Sequence, residues 1–418
     1  MRNAPRCASG ALLAAGVAAA CAPAPGGHPR IAELVPRRAL ASPACSAIAR
    51  GGYGSALAVG RDETVFYLLT DRGPNLDGPA AEEKIFPVPD FTPEIGVFRL
   101  AGGRLELARA IPLQDAAGHP LSGLPNPPGL GGTGERPLGP DGRPLGWDSA
   151  GLDPEGLALL EDGTFWIADE YGPHLVHVDR TGRTLERLNP FGAERRLPRV
   201  LARRRPNRGL EGLAALPGDS MLAAILQSPL DNPAAAGRRS VAVRLILFHL
   251  PTGRSRQYLY FLDDPAYVTS EVAAAGPDRL LVLEQDTRFP RDPRSPSRQK
   301  RIYEVDLSGA TDVSDPADGP DGLLVSGRTL EALTGEELRA AGIVPVAKRL
   351  LVDLLDPAIG YAHNKAEGLA RLPDGRLAVS NDDDFGIESD GRRGCVPKRD
   401  PVTGAPDRGR VYFIRPRR

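Results

Sequence analysis

Apolar and polar positions alternate along this chain in short runs, and one phrase opens several of them. Asp153-Pro154-Glu155-Gly156-Leu157-Ala158 is echoed by Leu210-Glu211-Gly212-Leu213-Ala214 and by Ala366-Glu367-Gly368-Leu369-Ala370. Each leads into an alternating apolar run, a turn rich in Gly, Asp or Pro, a second apolar run and a polar cluster, which is the pattern of a β-hairpin. Ser270-Glu271-Val272-Ala273 and, without the acid, Gly54-Ser55-Ala56-Leu57-Ala58 open looser copies. From the opening position (55, 155, 211, 271 or 367) to the polar cluster (71, 169, 227, 284 or 381) the chain runs 13 to 16 residues, so the hairpin length is nearly constant.

The spacing between hairpins is irregular, which leaves each repeat room for a second strand pair. The pattern predicts an all-β fold, a β-propeller of four-stranded blades with five repeats detected and six as the alternative, because each blade's apolar face is covered only by its neighbours. The second repeat is the clearest, with strands at 156–160, 164–168, 175–178 and 184–188. In the fourth, strands at 272–274, 280–284 and 301–307 leave the outer one to come from about 323–325. A short helix is expected at 335–340, and 344–355 holds an outer strand with no assigned blade. The last repeat lacks an outer strand, which segment 30–36 can supply, so that the two ends of the chain close the ring. Segment 114–149 is rich in Pro and Gly and has no period; it is longer than an ordinary connection and reads as a lid.

Composition narrows the class. The chain has 418 residues, 48 Gly and 42 Pro, with a formal net charge of −1 and no basic stripe, which argues against nucleic acid as the main partner. Arg2 and Arg6, an Ala-rich apolar stretch and the small residues before Cys21 read as an export signal over 1–21, too short to span a bilayer. Cys21 resembles a lipoprotein cleavage site, with lipidation as a membrane anchor; cleavage beside Ala20 is the alternative. Segment 22–29 reads as a tether, and 30–418 as one domain, monomeric and exported to the periplasm or outer membrane. Cys45 and Cys395 then remain in the mature chain, near ends that must meet, and an oxidising compartment favours a disulfide between them over two free thiols.

Several stretches together resemble a known family: Thr70-Asp71-Arg72-Gly73-Pro74-Asn75, the Asp153 phrase, the stretch from Asn207 to Ala214, the run from Arg301 to Ser314, and the Glu367 phrase with Ser380-Asn381-Asp382-Asp383. The chain resembles the esterase-like-activity-of-phytase (phytase-like) proteins, exported β-propellers, over roughly residues 55–414. The resemblance implies phosphoester hydrolysis by analogy with calcium-dependent propeller phytases.

The residues themselves place acids at the start of the inner strands and at the end of the second strands, which share one face of a propeller. Glu155, Glu211, Glu271 and Glu367, with Asp169, Glu170, Glu284, Asn381, Asp382 and Asp383, are therefore candidates for an acidic funnel. Glu155, Asp169, Glu211, Glu271, Glu284, Glu367, Asn381 and Asp382 are the proposed metal ligands; oxygen donors from several blades suit Ca²⁺. The alternative is that each Glu locks its blade to the next by bonding its backbone. Glu155, Glu211 and Glu367 are also the catalytic candidates, while Arg72 and Arg208 could receive an anionic substrate or pair with the carboxylates. His174, His177 and His363 lack metal-ligand spacing, and there is no Gly-x-Ser-x-Gly elbow. Three functions follow: a calcium-dependent exported phosphoester or ester hydrolase, a non-catalytic propeller binding a ligand or envelope partner, or a lactonase-type hydrolase.

Overall fold

The computed structural model describes residues 30–35, 40, 42, 45, 48, 51–193, 195–391 and 394–417; the export signal, the tether and Cys21 lie outside the described residues. Antiparallel four-stranded sheets form the body. The first consists of Tyr53–Val59, Val65–Thr70, Glu94–Ala101 and Arg104–Pro112, and the second of Pro154–Leu159, Phe165–Asp169, His174–Val178 and Thr184–Leu188. The third comprises Leu210–Ala215, Met221–Leu226, Ala242–His249 and Ser255–Phe261.

The fourth sheet corrects one expectation. Its first three strands are Val268–Ala274, Arg279–Gln285 and Lys300–Asp306, but its outer strand is Ala347–Asp353. Leu324–Val325 instead pairs with Arg328–Thr329 in a separate small hairpin. Between this hairpin and Ala347–Asp353 lies the expected helix, Gly335–Ala340, capped by Thr334 and Glu337 in a capping box.

Leu369–Arg371, Leu377–Ser380 and Arg410–Ile414 are completed by Ile31–Val35, which pairs antiparallel with Arg410–Ile414 and also parallel with Arg104–Pro112 of the first sheet. The N-terminal strand thus joins the first and last sheets. Cys45 and Cys395 form a disulfide with their Cα atoms 5.6 Å apart, a second link between the two ends of the chain.

The innermost strands touch in cyclic order, Tyr53–Val59 to Pro154–Leu159 to Leu210–Ala215 to Val268–Ala274 to Leu369–Arg371 and back to Tyr53–Val59. Apolar clusters fill the wedges between sheets. Leu57, Phe66, Phe98, Ala370 and Phe413 pack the first sheet against the last, and Leu69, Ile95, Leu157 and Ile167 pack it against the second. Such clusters explain the alternation in the sequence: one sheet's face is covered only by the next sheet.

Candidate functional site

A β-bulge sets the direction of the repeated acid. In the second sheet Pro154 faces Asp169 and Gly156 faces Ala168, so Glu155 is the extra, unpaired residue. Leu210 likewise faces Leu226 and Gly212 faces Ile225, which leaves Glu211 as the extra residue. Bulges re-aim side chains. The glycine that follows allows the neighbouring inner strand to approach: a Cβ on Gly212 would lie 2.4 Å from the Val272 nitrogen, and one on Gly368 2.8 Å from the Leu57 nitrogen. Glu-Gly therefore recurs for two reasons, one chemical and one steric.

Glu271 is out of step. In the fourth sheet Thr269 faces Glu284 and Glu271 faces Leu283, making Ser270 the bulged residue and placing Glu271 where the other sheets have glycine. Its Oε1 accepts hydrogen bonds from the Leu213 N–H of the neighbouring sheet at 2.8 Å and from the Val272 N–H at 3.0 Å. Expected as a metal ligand, Glu271 is instead a blade-locking residue, because its copy of the phrase is shifted by one position.

The same one-residue step divides the polar clusters, since successive strand residues face opposite sides. Asp169, Glu284 and Asn381 turn away from the funnel and are engaged. Asp169 accepts from the Asp153 N–H at 2.7 Å and the Gly172 N–H at 2.9 Å, and meets His174 Nδ1 at 2.5 Å. Glu284 accepts from Tyr260 Oη, the Asp263 N–H, Gln299 Nε2 and Lys348 Nζ, and Asn381 Oδ1 from the Arg410 N–H. These three expected ligands are corrected on that ground. Their successors Glu170 and Gln285, and Gln227 of the third sheet, line the funnel.

The funnel holds a cavity of about 190 Å³ lined by Glu155, Glu170, Arg208, Glu211, Lys365 and Glu367 among others. One carboxylate oxygen each of Glu155, Glu211 and Glu367 lie within 4.8 Å of one another, and Glu155 forms a second such group with Asp71 and Asp153. Glu211 Oε1 accepts from Gln227 Nε2 at 2.8 Å, while its Oε2 is buried without a hydrogen-bond partner. Burial, with repulsion from Glu211 and its neighbours, raises the Glu155 carboxyl well above the usual range; burial, with Glu170 and Glu367, does the same to Glu211. Glu367 is pushed to about 8 by burial and by Asp382 and Asp384, against relief from Lys365. Carboxylates so arranged are stable as anions only with more positive charge beside them.

Cations in the wall are partly committed. Arg72 is buried, donating to Glu135 Oε2 at 2.8 Å and to Tyr171 Oη at 3.2 Å, with Asp153 Oδ2 3.6 Å from its Nε. Of the two roles open to it, substrate contact and pairing with carboxylates, Arg72 takes the second, and through Glu135 it holds the 114–149 segment. Arg208 lines the cavity and donates to Gln227 Oε1. Lys365, two residues before Glu367, was not read from the sequence; it contacts Asp382 Oδ2 at 2.8 Å and Asp384 Oδ1 at 2.6 Å. Asp383 faces elsewhere, accepting from the Gly409 N–H at 3.0 Å. His174 and His363 are buried on Asp169 and Asp407, and His177 stacks on Trp166 at 4.7 Å, so none faces the cavity.

Fold and funnel define an all-β protein whose sheets surround an acidic axial cavity with carboxylate groups able to hold a metal ion. The chain belongs to the family described as Phytase-like, esterase-like activity of phytase, whose model matches residues 48–385. It is similar to an uncharacterized secreted protein of Arthroderma benhamiae, 25% identical over 309 residues that are 58% of this chain and 60% of that one. The chain thus matches less than two thirds of that relative's length. Among solved structures it is similar to a glucose dehydrogenase (14% identity, TM-score 0.33, covering 90% of this chain and 86% of that one) and to a protein from Lactobacillus plantarum (10%, 0.34, 86% and 88%).

Proposed function

We propose that this chain is an exported, cation-dependent hydrolase of phosphoesters or related esters, built as a five-bladed propeller with its active site in the acidic funnel. The carrying observation is the convergence of Glu155, Glu211 and Glu367 from three inner strands, with a buried Glu211 oxygen left unpartnered. An all-oxygen, multi-carboxylate donor set fits Ca²⁺, which takes 6–8 such ligands. Glu155, Glu211 and Glu367 would hold it, with Asp71 and Asp153 as further donors beside Glu155. A bound divalent cation polarises an ester or phosphoryl oxygen and acidifies water.

The chain's own groups do the rest. Arg208 at the cavity wall is available to an anionic group of the substrate. Segment 114–149, tied down through Tyr171 Oη to the Gly123 carbonyl at 2.7 Å and through Arg72 to Glu135, would act as a cover that limits access. Export is supported by the disulfide, by the N-terminal signal pattern and by similarity to a secreted protein. Lipidation at Cys21 and a monomeric state complete the reading.

The test is hydrolysis of phosphomonoesters, phosphodiesters, carboxyl esters and lactones by the purified mature chain, with EDTA and with added Ca²⁺. Turnover of one phosphoester class that EDTA abolishes, calcium restores and Glu155→Gln with Glu367→Gln removes is the expected result. Turnover confined to lactones would move the substrate, and turnover indifferent to EDTA would sink the cation dependence.

A further inference from the structure

Lys365 stands between two acidic sets. Lys365 lines the same cavity as Glu155, Glu211 and Glu367, yet its ammonium is held by Asp382 at 2.8 Å and Asp384 at 2.6 Å. The aspartates are fixed in turn: Asp382 Oδ1 accepts from the Asp384 N–H at 2.8 Å, and Lys398 reaches Asp384 Oδ2 at 2.6 Å. Asp384 and Phe385 have φ of 49° and 58°, a left-handed conformation that costs non-glycine residues energy and persists where surroundings enforce it. Phe385 supplies that enforcement, edge-on to Phe91 at 5.2 Å and so close over Gly52 that a Cβ there would lie 2.3 Å away.

We propose that Lys365 is a built-in competitor for the funnel's cation, kept off Glu367 and Glu155 by Asp382 and Asp384, so that these two aspartates set the affinity of the site. This rests on the cation reading above. A chain that binds a divalent ion among carboxylates must keep its own ammonium from neutralising them, and the strained Asp382-Asp383-Asp384-Phe385 turn does so.

Calcium titration of the metal-free full chain by calorimetry tests this. Lys365→Met should bind Ca²⁺ roughly tenfold more tightly, because it removes a unit positive charge from the wall the cation shares. Asp382→Asn should weaken binding by about tenfold in the wild-type background but by less than about threefold in the Lys365→Met background, because its effect passes through the lysine. Equal effects of Asp382→Asn in both backgrounds would mean plain electrostatics and overturn the proposal, as would unchanged or weaker binding by Lys365→Met. Lys365→Gln, which can still hydrogen-bond both aspartates, gives the same readout should the methionine variant not fold. Wild-type chain that binds no calcium would defeat the cation reading itself, whereas calcium binding with unaltered variants would defeat this inference alone.

Discussion

At the scale of single residues, two acids from related phrases do different work, and substitution separates them. Glu211→Gln removes one negative charge from the cavity while keeping the bond to Gln227, so the metal-free protein should melt higher and the gain in melting temperature on adding calcium should shrink. Glu271→Ala leaves the Leu213 N–H buried and unpaired, which costs roughly 1–3 kcal/mol in urea denaturation, with the calcium response intact. The sequence displayed the acids but not the bulge that decides between them. A shift of one position at Ser270 exchanged the funnel for the sheet interface, and the same step hid Gln285 behind Glu284 and left Asp169 and its neighbour Glu170 undivided as funnel acids. Lys365 had a signal, since it sits two residues from Glu367, but with acids expected at that face a lone lysine carried no pattern.

The funnel acids also predict a pH dependence. A carboxyl raised in the folded state, such as Glu367 at about 8 against an ordinary 4.5, binds its proton more tightly folded than unfolded. Its contribution to stability is fully present below about pH 4.5 and is lost as pH rises through about 8. EDTA-treated protein should therefore lose melting temperature steadily between these values, and saturating calcium should flatten the slope. A metal-free melting temperature that climbs over that range would contradict the placement of these acids.

Among elements, the inner strands carry the architecture. Hairpins were legible because alternation, turn residues and the Glu-Gly phrase all point the same way, whereas the outer strand Ala347–Asp353 was not assignable: an insertion with its own hairpin and helix separates it from Lys300–Asp306, and nothing local marks its partner. Inner-strand packing has its own test. Gly212→Ala places a methyl 2.4 Å from the Val272 nitrogen of the next strand, backbone that cannot yield cheaply, and should cost about 1–3 kcal/mol or more. Gly309→Ala, where nothing lies within 4 Å, is the control and should be close to neutral.

For the whole molecule, the question is how a ring of sheets stays shut when each sheet touches only its neighbours. Two devices at the chain ends answer it. Ile31–Val35 pairs with strands of both the first and the last sheet, and the Cys45–Cys395 disulfide joins residues 350 apart in sequence. That both ends must meet was readable from the missing outer strand and the leftover cysteines; that one strand bonds two sheets at once was not, because parallel pairing to Arg104–Pro112 leaves no local trace. The disulfide acts chiefly on the unfolded chain, and for so long a loop the entropy removed corresponds to about 6 kcal/mol, above what such links usually deliver. Cys45→Ser with Cys395→Ser should therefore lower the urea midpoint substantially, while the Ile31–Val35 strand still closes the folded ring and the β-sheet circular dichroism is unchanged. Reducing agent should shift wild-type protein to the midpoint of the double variant and leave that variant unmoved. A double variant as stable as the oxidised wild type would mean that strand pairing alone closes the ring.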